Sequence, residues 1–455
     1  MYLSYQDYEK SGKRLAFIGE LLDRHITTPE YGMARQADLY DRCRNTGIGE
    51  FYEMYDRVNG AKHTSVGRAI RSNYFARLNT QRSTYSLGNG VTFPAKGVKE
   101  KLGDGFDEVL QRAGYFALIH GVSFLMLNRG HCHVFRLTEF CPLYDEENGA
   151  LRAGVQFWRI HPSKPLQAVL YEEDGFTRLV SGSEFHTAFK AVGEKQAYIT
   201  RYETAEADEE PEVIGVENYS FLPIVPLYGS YRKQSTLAEL KSKIDNYDLV
   251  LSGFADTVQK CADIYWLVEN YGGMRQEDLD KFLRNLSLHR IAEVDTTENG
   301  KIQPYVQEVP TEARQALLAA LRAQIFEDFG ALDVHALAAG STNDHLQAAY
   351  QPMDENADDF EGQIIECVKR LLQLAGVEGT DAVPQFKRNR ISNQKEQVEM
   401  VMQEAAYLDD ATVLALLPNI TPDQIEAILQ AREEQEKKQD AYGGFPGFAP
   451  KGPEA

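Results

Sequence analysis

Between Thr236 and Leu374 the chain carries two long stretches in which apolar residues recur at strict three-four spacing, and this periodicity most narrows what it can fold into. In the first, Leu237, Leu240, Ile244, Tyr247, Leu251, Phe254, Val258, Cys261 and Tyr265 fall at that spacing. Such alternation keeps one stripe of an α-helix apolar. It predicts a helix over 236–264, about 43 Å long at about 1.5 Å per residue. Thr236-Leu-Ala-Glu239 reads as its capping box. Gly253 inside it marks a bend or a close contact.

Residues 265–309 break the pattern. A short helical piece around Gln276 to Leu286 and two strand-like runs, His289 to Val294 and Ile302 to Val309, read as a small α/β insertion turned at Glu298-Asn299-Gly300. Pro310 and Thr311 open a second helix that stops at Gly330, with Ala313, Leu317, Leu321, Ile325 and Phe329 on its apolar face. The small-residue connector GALDVHALAAGST follows. A third helix then carries the stripe Leu346, Tyr350, Met353, Ala357, Phe360, Ile364, Cys367, Leu371 and Leu374. Pro352 inside it removes a backbone donor and predicts a kink.

Elsewhere residues 1 to about 90 look mostly helical, as does Val98 to Ala117. From 121 to 228 the period shifts toward two, in runs such as VSFLMLN, GVQFWRI and FLPIVPLY between turn signals, which predicts an antiparallel β region. Glu203 to Glu217 holds seven acidic and no basic residues and reads as a solvated hairpin or loop. A last helical section is expected over Ser392 to Lys438, then a Gly/Pro-rich disordered tail.

The net charge of −20 argues against static gripping of nucleic acid, which needs a basic face. It does not argue against a polyanion passing an acidic wall, since like charge prevents sticking. Five cysteines without CxxC spacing read as free thiols in a reducing compartment. The polar N-terminus and the lack of a long apolar run read as a soluble chain made inside the cell. No P-loop, HExxH or GxSxG occurs. His131-Cys132-His133 with Cys141 is the sole cluster resembling metal ligands. On a strand its histidines and Cys132 face opposite sides, so neither a metal nor another cofactor is expected. Asp245, Asp248, Asp256 and Asp263 fall on the polar side of the first long helix and read as a solvated face. An enzymatic role is therefore not expected.

Two long helices around a compact insertion, then a small-residue loop and a proline-bearing helix, resemble the portal proteins of tailed, siphovirus-type bacteriophages. Three segments carry the resemblance: SNYFARLNTQRSTYSLGNGVTF (72–93); Phe221 to Val258, with Asp245, Tyr247, Asp248 and Ser252 in a recurring D-x-Y-…-S pattern; and QFKRNRISNQKEQVEMV (385–401), through Phe386, Arg388, Arg390, Ile391, Asn393 and Glu396. The Gly/Pro-rich tail departs from the family's acidic one.

The resemblance implies an α+β, mainly helical portal fold. It has a wing at 1–235, stem helices at 236–264 and 310–329 and a clip at 265–309. A tunnel loop at 330–342, a kinked wing helix at 343–384, a crown at 385–438 and a disordered tail at 439–455 complete it. It implies a ring, a dodecamer in the family, at one capsid vertex of the virion, built in the host cytoplasm. Double-stranded DNA would pass during packaging and ejection. Implied partners are the terminase large subunit, head-tail connector or adaptor proteins, and the major capsid and scaffolding proteins, with no membrane. Asp333, Val334, His335, Ala336, Leu337, Ala338, Ala339 and Gly340 would face DNA, and Lys241, Lys243 and Lys260 would be stem channel contacts. The alternative is another acidic, helix-rich phage head or tail assembly protein.

Overall fold

The computed structural model describes residues 3–13, 15–59, 69–181, 189–202, 213–261, 265–269, 301–305, 311–335, 343–390 and 401–403, with 405, 408–409, 412–414 and 428 besides. Contacts divide the chain into one unit of Met1–Ala336 with Tyr350–Asn389 and a second of Leu337–Ala349 with Arg390–Ala455.

In the first unit, β1 (Leu3–Ser4) leads into helices α1 (Tyr5–Lys10), α2 (Leu15–Ile26), α3 (Pro29–Asp41), α4 (Gly47–Asn59) and α5 (Tyr74–Leu87). Ser4 and Thr28 accept the first-turn amides of α1 and α3, and Pro29 sits at the start of α3, where its missing donor costs nothing. After β2 (Val91–Thr92), α6 (Phe106–His120) ends at Gly121, whose φ of +87° suits a left-handed stop.

The β region holds β3 (Val122–Asn128), β4 (His131–Arg136), β5 (Phe140–Tyr144), β6 (Leu151–Trp158), β7 (Leu166–Glu172), β8 (Gly175–Ser181), β9 (Lys190–Ala191), β10 (Ile199–Tyr202), β11 (Val213–Glu217) and β12 (Ile224–Tyr228). Strands β1-β5-β6-β7-β8-β9 make a sheet that is antiparallel except for the β1–β5 pair, and β12-β3-β4 make a second. An aromatic-rich core joins faces of the two sheets through Phe124, Phe135, Phe140 and Tyr171. The acidic segment is described from Val213 onward, where β11 pairs with β10. On β4, His131 and His133 are exposed while Cys132 packs against the core, as strand alternation requires.

Helices α7 (Leu237–Cys261), α8 (Thr311–Phe329) and α9 (Asn343–Leu374) are the long ones. Strands β13 (Tyr265–Glu269) and β14 (Lys301–Tyr305) pair antiparallel. Tyr265, expected to close the helical stripe, therefore belongs to a strand. The described partner of β14 is the run that opens the insertion, Tyr265–Glu269; His289 to Val294 lies outside the described residues. Short β15 (Gln385–Phe386) pairs with β2. The stripe of α9 is seated as its spacing predicts: Tyr350, Met353, Ala357, Phe360, Ile364, Cys367 and Leu371 are buried. Phe360, Ile364, Cys367 and Leu371 share one core with α6, β3 and β12.

In the second unit, residues 401–403 and 412–414 are helical, Asp409 accepts the Thr412 amide at 3.3 Å, and Val401 and Leu414 are buried. The remainder of the section expected to be helical and the Gly/Pro-rich tail lie outside the described residues. Among the described residues, no helix is long and apolar enough to cross a membrane.

Candidate functional site: the paired helices α7 and α8 and the segment after them

The start of α7 is fixed by the end of α6. A Cβ at Gly121 would lie 2.8 Å from the Gln234 carbonyl carbon, so only glycine lets the two segments approach. Thr236 N donates to Leu118 O at 3.1 Å, and Ser235 Oγ donates to Ile119 O. The predicted capping box is not formed. The Leu237 amide is taken by Ser235 Oγ at 3.1 Å, Thr236 Oγ1 donates instead to Asn79 Oδ1 at 2.8 Å, and Glu239 pairs with Arg232 at 2.6 Å. Tertiary partners outcompete the local motif.

Leu237, Leu240 and Ile244 are buried among α3, α5, α6 and the last turn of α8, with Ile325, Phe326 and Phe329 opposite. Beyond Ile244 the buried face departs from the apolar stripe and follows Asp248 and Ser252. Asp248 is 0% exposed, which corrects its reading as part of a solvated face. It accepts Asn45 Nδ2 at 2.5 Å and the Ser72 amide at 2.9 Å. Ser252 Oγ accepts the Ile70 amide at 3.0 Å. Burial raises the Asp248 pKa against the pull of those donors. The short extended run 70–72 is thereby stitched along α7.

One turn back, Asp245 takes hydrogen bonds from Tyr40 and Lys241 and crowds the N-terminus of α4. A Cβ on Gly47 would lie 2.1 Å from the Asp245 carboxyl carbon. A carboxylate there also complements the helix dipole. Lys241 bridges Asp245 (2.9 Å) and Glu50 (3.0 Å). Burial works against its charge, but the two carboxylates outweigh that and raise its pKa. Lys243 pairs with Asp328 of α8 at 2.6 Å. The side chain of Lys260, and all of Asp263, lie outside what the structure describes.

Farther along, α8 holds α7 through Arg314, which donates to Thr257 Oγ1 at 2.7 Å and Gly253 O at 3.4 Å. The close contact offered as one reading of Gly253 is not found among the described residues: nothing lies within 4 Å of where its Cβ would be. The first two-thirds of α8 has little cover. Leu317 is 47% exposed, Ala313, Ala316, Ala319 and Ala320 are exposed, and Val258 on α7 is 51% exposed.

After α8 the chain turns at Gly330, φ +64°. Asp333 accepts Arg322 Nη2 at 2.8 Å and the His335 amide at 3.0 Å, while Val334 and His335 are exposed. Ala336, Leu337, Ala338, Ala339 and Gly340 lie outside the described residues. Gln81, Arg82, Asn356 and Asn45, which shape this region, were not singled out in the sequence. Each makes a polar contact to a residue distant in the chain, which no local pattern marks.

What this site offers is surface and fixed direction: a long helix pair pinned at one end and open at the other. The family model described as phage portal protein, SPP1 Gp6-like, matches residues 48–441. This chain belongs to that family, whose members are structural and not enzymatic. The portal protein of Clostridium phage phiCD119 is 26% identical over 241 residues, 50% of this chain and 52% of that protein, so the match spans about half of that relative. The portal protein of Bacillus phage SPP1 is 22% identical over 473 residues, covering 94% of this chain and 88% of that one. Among solved structures, a chain from the neck of an empty GTA particle aligns over 76% of this chain and 90% of its own length, with a TM-score of 0.43 and 11% identity.

Proposed function

We propose that this chain is the repeating subunit of a portal ring at one capsid vertex of a siphovirus-type phage, through which double-stranded DNA is packaged and ejected. Beyond family membership, the observation that carries this reading is the open end of the α7–α8 pair. Leu317 and Val258 remain about half exposed on helices whose other ends are fully packed. On this reading a neighbouring copy covers them, as closure of a ring requires each copy to cover the next.

On this reading residues 1–235 form the wing, 236–264 and 310–329 the stem, 265–309 the clip, 343–384 the kinked wing helix and 385–438 the crown. The clip docks the terminase large subunit and later the head-tail connectors, and capsid and scaffolding proteins surround the ring during assembly in the host cytoplasm. The segment 330–342 faces DNA through Asp333, Val334, His335, Ala336, Leu337, Ala338, Ala339 and Gly340. Lys241, Lys243 and Lys260 serve as weak stem contacts. Lys241 and Lys243 are already neutralised by Glu50, Asp245 and Asp328, which suits a wall that passes DNA without holding it.

The test is the assembly itself. Mass photometry and negative-stain images of the purified chain should give one closed ring, twelvefold as in the family, with a hole wide enough for a duplex. Monomers or twofold dimers alone would overturn the proposal. A ring in which residues 330–342 lie away from the axis would favour a different head or tail assembly protein.

A further inference from the structure

The last residue of α8 and the four that follow it are held from α5, from α9 and from α8 itself. The helix ends in a double turn: Ala331 N bonds to Phe326 O at 2.9 Å and Gly330 N to Glu327 O at 3.0 Å. The Phe329 carbonyl, left over by that motif, takes the Arg82 guanidinium of α5 and Asn356 Nδ2 of α9 at 3.3 Å. Arg82 also lies over the Phe329 ring, 3.9 Å from its centroid. Gln81 Nε2 donates to Leu332 O at 3.1 Å. Asn356 Nδ2 reaches back at 2.9 Å to the carbonyl of Pro352, the proline inside α9, and sits 2.4 Å from where a Cβ on Gly330 would be. Arg322 closes the set on Asp333. Each of the four residues from Gly330 to Asp333 thus has a partner, and Leu332 is buried.

We infer that Gln81, Arg82 and Asn356 are positioning residues that fix the end of α8 and the turn after it at Leu332, and so set the point from which the proposed DNA-facing segment departs. This rests on the proposed role of 330–342. These contacts tie that segment to α5 and α9 together, so a load on it is shared between two helices far apart in sequence. Arg82 stays charged in this place: burial lowers its guanidinium to about 10, still well above neutral pH.

Hydrogen exchange on the assembled full-length ring tests the holding. In Gln81→Met/Arg82→Met, which keeps the apolar stems, the amides of 331–335 should exchange about 10-fold faster, as loss of the two side-chain hydrogen bonds to Leu332 O and Phe329 O predicts. The amides of 315–325 should not change. Arg82→Lys, which keeps a donor, should restore slow exchange. Gln81→Met alone, at a half-buried site, supplies a folded variant should the pair assemble poorly, and should show a smaller rise. Unchanged exchange in both Met variants overturns the inference. DNA packaging into heads carrying the variant ring separates the two claims. Faster exchange with a fall in filled heads supports both. Faster exchange with packaging at the parental level leaves the holding in place and overturns the DNA-facing role.

Discussion

Helices α7 and α9 carry the same apolar periodicity and meet it in different ways. On α9 the stripe from Tyr350 to Leu371 is buried along its length, and its lower half lies in one core with α6, β3 and β12. On α7 the stripe is fully buried only as far as Ile244, and Tyr247 and Leu251 are half-buried. The buried face then turns to Asp248 and Ser252, and Val258 is left in the open. Periodicity states which side of a helix must be covered; it does not state what covers it. In α9 the cover is this chain. In the far half of α7 it is partly a polar seam from residues 45 and 70–72, and at Val258 about half the side chain is left exposed.

The largest effect should come from the fully covered helix. Phe360 is 1% exposed and fits against Gly114, where a Cβ would lie 2.9 Å from its ring. Phe360→Ala should cost about 4 kcal/mol by cavity formation, read as a fall in denaturant midpoint. A cost near zero would mean that α9 is not a single-chain core element. Next comes the polar seam. Asp248→Ala leaves one N–H of the Asn45 amide, which keeps Ser72 O, and the Ser72 N–H without an acceptor, a loss of about 3 kcal/mol. Asp248→Asn, which keeps an acceptor, should lose less. The sign of its pH dependence follows from the raised pKa. The folded state binds the proton more tightly than the unfolded one. The contribution of Asp248 is therefore fully present below the ordinary value of 3.8 and declines as pH rises through the window above it. Subtracting the Asp248→Asn stability profile from the parental one should expose that decline, and a flat difference would contradict the buried seam.

Much of this was legible in the chain. Pro310-Thr311 and Gly330 bound α8 at Thr311 and Phe329, because a proline start and a left-handed glycine stop are local signals. The α9 stripe was legible because its partners are apolar, and apolar cover follows spacing alone. What could not be read was each place where a distant polar group outbids a local rule. Thr236 leaves its capping role because Asn79 and Leu118 present acceptors. Asp248 is buried because Asn45, 203 positions away in sequence, donates to it. The base under 330–335 depends on Gln81, Arg82 and Asn356, none of which carries a distinctive pattern.

A third change probes the near end of α7, where the two kinds of cover meet. Gly47→Ala places a methyl on the Asp245 carboxylate, which Tyr40 and Lys241 hold in place. It should cost about 1–3 kcal/mol as an overpacking defect, smaller than the loss of Asp248. Pairing it with Asp245→Ala should recover part of that cost, because the obstruction is then gone; additive losses would show that the clash is relieved elsewhere.

The smallest effect on the single chain should come from the open end, and there the comparison is sharpest. Val258→Ser and Leu317→Ser remove apolar groups that this chain leaves about half exposed. Each should change monomer stability by no more than about 0.5 kcal/mol, the usual range for surface sites. If a second copy covers these positions, the double variant should nonetheless shift the population from rings toward smaller species at a protein concentration where the parent is assembled. The same two substitutions made on α9, at Ile364 and Leu371, should do the reverse: unfold the chain before altering how folded chains associate. A double variant at 258 and 317 that assembles as the parent does would mean that the exposed stripe is an ordinary surface, and that ring closure depends on other faces.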